Sequence, residues 1–157
     1  MYNTTDLINK AISQAKTRKI FVEGLAKSEE DLGKKILLRT LTNWVSRDIS
    51  YYERILETIT TEVEESIDFF IYDKIASLIY QYGEKMKIVP TFKNKIQILD
   101  FAIEMDQGLK ALYVDIQGRL IQSEADNQSM TYKVLSQMIE YKIRNIEEMK
   151  KFKDSTK

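Results

Sequence analysis

The chain has 157 residues, 43% of them hydrophobic, which suits one compact domain spanning residues 1–157 with a single core. Its 24 basic residues balance its 24 acidic residues, so overall charge favours neither nucleic acid nor a strongly charged partner. The absence of histidine and cysteine excludes His-based catalytic triads, His- or Cys-ligated zinc, and disulfide bonds. No apolar run approaches the roughly eighteen residues of a membrane span, and the N-terminus lacks a signal-peptide pattern. We therefore expect a cytoplasmic protein with no membrane partner and no nucleic-acid partner.

The first half of the chain begins with two long helices. Apolar residues at steps of three and four predict a helix over about residues 5–27. Ser28 and Asp31 then resemble a capping box that opens the second helix, with Asp in place of the usual Glu. The same periodicity predicts that this second helix continues to about Ile59.

A shorter helix is predicted in the middle of the chain. Thr61 and Glu64 indicate its cap, and Gly83 is a natural stop. The segment that follows contains Pro90, the only proline, and is interpreted as the end of a crossover. The next long helix begins near Asn94.

Two further long helices complete the chain. The segment 96–120 carries an apolar stripe that Asp106 alone interrupts with a charge. Ser123 and Asp126 indicate the cap of the last helix. Its final residues, 150–157, are expected to fray because they are polar and terminal.

The two halves of the sequence resemble each other. Ala11 and Ile12 in the first long helix occupy places equivalent to Ala102 and Ile103 in the third. This repetition predicts two helical hairpins joined by a long connection. The expected fold is all-α: a four-helix bundle whose long crossover carries an additional helix.

Residues 99–116, LDFAIEMDQGLKALYVDI, resemble a helix of the rubrerythrin branch of the ferritin-like superfamily. In that family an Ala-Ile pair is followed by a ligand carboxylate and, two turns later, by a tyrosine. Here Ala102, Ile103, Asp106 and Tyr113 take those places. The resemblance implies a ferritin-like bundle with a di-iron site in its core, held by glutamates and Glu-x-x-His pairs.

Most of the ligand positions implied by the resemblance carry other residues. The first helix has an alanine at the Glu place, and the second has valine for Glu and aspartate for His. The third keeps a shortened carboxylate, and the fourth has isoleucine for Glu and lysine for His. These vestigial site positions are Ala15, Val45, Asp48, Asp106, Ile139 and Lys142.

A second register is open for the last helix. Shifting the alignment by one residue would place Glu140 and Ile143 at the two positions instead of Ile139 and Lys142. That register carries Arg144 toward an otherwise apolar face, which favours the first one. Neither register supplies a histidine, so no metal and no cofactor are expected.

Two functions follow from the resemblance. The first is a ferritin-like protein that has lost its metal centre and serves as a non-catalytic structural or interaction module, with no catalytic residue. The alternative is a rubrerythrin-like oxidoreductase that binds iron or another divalent metal at an atypical carboxylate site, built from Asp48 and Asp106. Metal analysis distinguishes them.

The additional helix predicts self-association. Phe69, Phe70 and Tyr72 are nearly consecutive, so a single core-facing stripe cannot bury all of them, and Tyr80 follows on the same helix. A homodimer that buries this helix is therefore expected, while any other protein partner is unknown.

Each long stripe contains one charged residue, and the four charges are Arg18, Asp48, Asp106 and Lys142. The alignment places them in one layer of the bundle. Because isolated buried charges are unfavourable, we predict a neutral buried network in which Asp106 faces Lys142 and Asp48 faces Arg18.

Overall fold

The described part of the chain is all-helical, as the periodicity predicted. The computed structural model describes residues 3–60, 66–86, 90–121 and 129–156. Within them the structure contains five helices and no strand, apart from one isolated bridge between Asn3 and Ser66. The helices are α1 (Thr4–Ser28), α2 (Leu32–Thr60), α3 (Phe69–Lys85), α4 (Lys95–Leu120) and α5 (Met130–Thr156).

Short polar side chains cap the beginnings of α1, α3 and α4. Asn3 forms a reciprocal capping box with Asp6 at the start of α1, and each side chain accepts from the other residue's backbone N–H at 3.0 Å. Asp68 accepts from the N–H groups of Phe70 and Ile71 in α3, and Asn94 caps α4. These bonds satisfy donors that lack partners in the first turn of a helix.

The capping box expected at the start of the second helix is wrong. Asp31 caps α2 by accepting from the Lys34 N–H at 3.0 Å. Ser28 instead ends α1, and its hydroxyl donates to the carbonyl oxygens of Gly24 and Leu25. The serine serves the last turn of one helix because its hydroxyl reaches carbonyls one turn back.

Three other predicted helix boundaries concern α3 and α5. The expected caps at Thr61 with Glu64, and at Ser123 with Asp126, lie outside the described residues. Gly83 does not stop α3, which continues to Lys85, and no described glycine has a positive φ. The left-handed conformation that makes glycine a helix terminator is therefore not used there.

α5 continues as helix to Thr156, in contrast to the expected fraying, while Lys157 lies outside the described residues. Phe152 packs its ring edge-on against Trp44 of α2, with ring centroids 5.7 Å apart. Lys153 forms an ion pair with Asp100 of α4 at 2.6 Å. Contacts with two other helices therefore hold the last two turns.

The long helices pack as two pairs, α1 along α2 and α4 along α5. The intervening helix α3 packs on α4, where the Tyr82 hydroxyl donates to the Met105 carbonyl at 2.6 Å. Gly108 permits this approach, because a Cβ there would lie 2.9 Å from the ring of Tyr82. The shorter helix α3 is thereby joined to the second pair.

A charged layer separates two apolar core clusters. The first cluster includes Ala15, Leu109 and Met138, and the second includes Val22, Ile103 and Ile146. Along α1, α4 and α5, one largely buried charged residue lies between the members of the two clusters, and these residues are Arg18, Asp106 and Lys142. The core is therefore interrupted at one level by ionisable side chains.

No helix in the described part of the chain combines the length and the apolar character needed to span a membrane.

Candidate functional site

Four charged side chains, one from each long helix, meet between the two core clusters. Lys142 Nζ of α5 lies 2.6 Å from Asp48 Oδ2 of α2 and 3.1 Å from Asp106 Oδ1 of α4. Arg18 of α1 contacts the same Asp48 oxygen through NH2 at 3.0 Å. Both pairings expected from the sequence are present, and the structure adds a third between Lys142 and Asp48. We call these four residues the charge network.

The network is nearly dry. The side chains of Lys142, Arg18 and Asp48 are 0%, 5% and 5% exposed, and that of Asp106 is 13% exposed. Burial by itself would lower the pKa of Lys142, but the carboxylates of Asp48 and Asp106 outweigh it and raise that pKa. The same balance, with Asp48 as the main carboxylate, raises the pKa of Arg18. Both cations therefore stay charged.

Asp106 has the less favourable position of the two carboxylates. Burial raises its pKa, and the charge of Lys142 only partly offsets this because Asp48 adds repulsion. Asp48 has more partners, since it accepts from Arg18, from Lys142 and from Asn145 Nδ2, the last at 3.3 Å. Asp48 is therefore the central acceptor of the network.

Buried tyrosines border the network on the side of the first core cluster. The hydroxyls of Tyr52 and Tyr113 are 2.8 Å apart and hydrogen-bonded to each other. Burial raises the pKa of both phenols well above the ordinary value. Burial also raises the pKa of Tyr82 to about 12. These phenols are neutral hydrogen-bonding groups across the physiological pH range.

A small cavity adjoins the network on the other side. Its walls include Arg18, Asp48, Asp106 and Asn145, and its volume is about 40 Å³. A buried water needs roughly 10–15 Å³ and two to four polar partners, so this cavity can hold water. Arg18 Nε is a buried donor without a protein partner in the described part of the chain. A water bound there is the simplest way to satisfy such a donor.

The six positions that the resemblance predicted as former metal-ligand positions lie in or beside this layer of the bundle. Ala15 and Val45 are buried and apolar, and Ile139 is half-buried beside the first core cluster. The other three positions are network residues, namely Asp48, Asp106 and Lys142. Burial agrees with the first register of the last helix, since Lys142 is buried whereas Glu140 of the second register is exposed.

The donor set does not fit a metal centre. Divalent iron or manganese requires several carboxylate or imidazole ligands, and this layer offers only two carboxylates, both engaged by cations. The ammonium group of Lys142 lies between them and would repel a metal ion. No group of three or more potential ligands gathers anywhere in the residues that the structure describes.

Sequence reasoning missed part of the site. Asn145 lies one turn after Lys142 on the face of α5 that meets Asp48, a spacing that could have identified it. Tyr52 lies one turn after Asp48 on α2, and its hydroxyl is hydrogen-bonded to that of Tyr113. Tyr82 had no comparable signal, because its approach depends on how α3 packs.

Comparison with known proteins gives no relative: no family model, no curated protein and no solved structure matches the chain.

Proposed function

We propose that this protein is a ferritin-like helical bundle of the rubrerythrin kind that has lost its di-iron centre. In this proposal the bundle is a structural or interaction module without catalytic activity. The observation that carries it is the position of Lys142 Nζ, which lies within 3.1 Å of a carboxylate on each of two other helices. A fixed ammonium group there provides the positive charge that a metal ion would otherwise supply to Asp48 and Asp106.

The arrangement of helices supports the ferritin-like part of the proposal. Two pairs of long helices, α1 with α2 and α4 with α5, are connected through a segment that contains α3. One long crossover between two pairs is the connectivity of ferritin-like folds. Each pair contributes one cation and one carboxylate to the charge network.

Metal analysis tests this proposal. Protein purified without chelator from cells supplied with iron and manganese should contain well below one metal ion per chain. Elemental analysis by mass spectrometry, with the dialysis buffer as blank, gives the measurement. Iron or manganese near one or two ions per chain would contradict the loss of the centre and favour the alternative, an iron-binding oxidoreductase with an atypical carboxylate site.

We further propose that the module forms a homodimer through α3. Phe69, Phe70 and Tyr80 are 57%, 77% and 68% exposed, an unusual concentration of exposed aromatic side chains on one helix. Tyr72, which was expected in the same interface, is instead 5% exposed and belongs to the chain's own core. The proposed interface therefore uses three of the four predicted residues.

Phe70→Asp should convert the dimer into a monomer, because a charge at the centre of an apolar interface is strongly unfavourable. Light scattering coupled to gel filtration measures the mass against the 18.4 kDa of one chain. Ile20→Asp is the matched control, since Ile20 of α1 is also highly exposed, at 69%. A monomer mass for the unmodified protein would contradict the dimer, as would an equal effect of the control.

A further inference from the structure

A second polar site lies on the surface between α2 and α5, outside the charge network. It is a groove of about 560 Å³, lined by Arg47, Ser50 and Arg54 of α2 and by Tyr141, Arg144 and Asn145 of α5. We call it the arginine groove. The side chains repeat at steps of three and four on each helix, so both helices turn one face toward the groove.

The arginine groove has an excess of positive charge on a chain whose formal net charge is zero. Its three arginines are opposed by one lining carboxylate, that of Glu148. Arg47 lies 4.0 Å from Glu148, and this exposed pair compensates little charge. Within the described residues, Arg54 and Arg144 have no carboxylate within 4.0 Å. Two guanidinium groups therefore remain available to an anion.

Arg54 and Arg144 line the groove together with Tyr141, which belongs to a pair of stacked aromatic rings. The rings of Tyr51 and Tyr141 are stacked, 3.9 Å apart and 4° from parallel. Burial raises the pKa of Tyr51, whereas the charges of Arg144 and Arg54 act on that phenol in the opposite direction. The Tyr51 hydroxyl donates to the Gln137 carbonyl at 3.1 Å, which connects α2 to α5. Arg54 of α2 and Arg144 of α5 therefore extend from two helices that these tyrosine contacts hold together.

We propose that the arginine groove binds a phosphate group, carried either by a soluble small molecule or by a lipid headgroup. Guanidinium groups donate paired hydrogen bonds to phosphate oxygens, and Ser50 adds a hydroxyl at the same surface. A phosphate monoester carries a charge of about −1.5 to −2 at neutral pH, which matches the local excess of positive charge. A ligand with a single carboxylate would neutralise only half of this excess positive charge.

The groove shares a wall with the charge network. Asn145 lines the groove and donates to Asp48, and the Tyr141 ring lies 5.7 Å from Lys142 Nζ. The groove and the network are therefore adjacent, and Asn145 and Tyr141 lie between them. This inference holds whether or not the bundle is ferritin-like, because the groove lies outside the network.

Calorimetric titration with pyrophosphate at low ionic strength tests the proposal. The unmodified protein should bind pyrophosphate. An Arg54→Gln/Arg144→Gln variant should bind it at least about tenfold more weakly, because each charged hydrogen bond to the ligand contributes substantially to the affinity. Arg39→Gln/Arg119→Gln is the matched control. It removes the same charge from exposed positions outside the groove and should change affinity by less than about twofold. Both variants change exposed side chains, and circular dichroism melts verify that they fold.

A parallel sedimentation assay with phosphatidylcholine vesicles containing phosphatidic acid separates the two sources of phosphate. Binding to these vesicles that depends on Arg54 and Arg144, without binding of pyrophosphate, assigns the lipid headgroup. Pyrophosphate binding with the same dependence assigns a soluble ligand. The proposal is overturned if neither probe binds, or if the control variant loses as much affinity as the groove variant.

Discussion

Replacing Lys142 with methionine should destabilise the fold by about 3–5 kcal/mol. Lys142 is fully buried and contacts both carboxylates of the network, so its removal leaves Asp106 without a cation and Asp48 with Arg18 as its remaining cation. A buried carboxylate that loses its partner retains its desolvation penalty. Methionine fills a similar apolar volume, which limits any contribution from a cavity.

A second substitution should restore much of this loss. Adding Asp106→Leu to Lys142→Met removes the stranded carboxylate and leaves Arg18 paired with Asp48 at 3.0 Å, a neutral remainder. Replacing a buried ion pair with apolar residues of similar size is often neutral or stabilising by about 1–4 kcal/mol. The double variant should therefore be more stable than Lys142→Met alone.

Urea melts of both single variants, the double variant and the unmodified protein give the coupling free energy. Strictly additive losses would show that Asp106 and Lys142 are not energetic partners. A neutral Lys142→Met would contradict the burial of this side chain. Arg39→Met serves as control, because it removes an exposed cation and should change stability by less than about 0.5 kcal/mol.

Stability should fall steeply as the pH rises above about 10, the ordinary pKa of tyrosine. The pKa values of Lys142, Tyr52, Tyr113 and Tyr82 are all raised in the folded protein. Above their ordinary values, the unfolded chain therefore releases protons that the folded chain retains. Fewer bound protons in the unfolded state means that the free energy of unfolding decreases with pH. The stabilisation is complete below the ordinary pKa values and is lost through the raised ones.

The contribution of Tyr82 to this loss of stability can be measured separately. Burial raises its pKa to about 12, and two pH units correspond to roughly 2–3 kcal/mol of stability lost when the phenol ionises. Urea melts at pH 9 and pH 12 measure the difference. Tyr82→Phe should reduce that difference by this amount, whereas Tyr80→Phe, at a 68% exposed position, should not. An identical pH dependence in Tyr82→Phe would contradict the assignment.

Most of the predictions about the core came from the helical spacing of the apolar residues in the sequence. Val45 and Asp48 of α2 were both expected in the interior of the bundle, and both are buried. The charges could be recognised because a charged residue within an apolar stripe is unfavourable unless it has a partner. Their number and sign also suggested the pairings. Only the bridging of Asp48 by Lys142 required the three-dimensional structure.

The helix ends were harder to predict, because competing local and tertiary interactions decide them. Ser28 can serve either as an N-cap or as a donor to the preceding turn, and its sequence does not distinguish the two. The helical conformation of the residues near Phe152 is supported by a ring contact with Trp44, which belongs to a different helix. Such contacts have no periodic signal in the sequence.

Which aromatic residues of the shorter helix are buried and which are exposed could not be told from sequence, for a similar reason. Tyr72 and Phe70 lie two residues apart, yet one is buried and the other is exposed. An aromatic-rich helix has several plausible inward faces, and its packing partner selects one. The rotation of α3 is selected together with the bond from Tyr82 to the Met105 carbonyl.

The position of the charge network has a consequence for how the helices align along their length. A leucine that slides by one helical turn, about 5.4 Å, meets another apolar side chain and loses little. A carboxylate displaced by the same turn loses contacts of 2.6–3.1 Å and faces hydrocarbon. The four network residues, Arg18, Asp48, Asp106 and Lys142, come from four different helices. Their contacts therefore form together at one relative position of the helices along their axes. The charged layer therefore favours one axial alignment of the helices and disfavours staggered packings that the apolar clusters alone would tolerate.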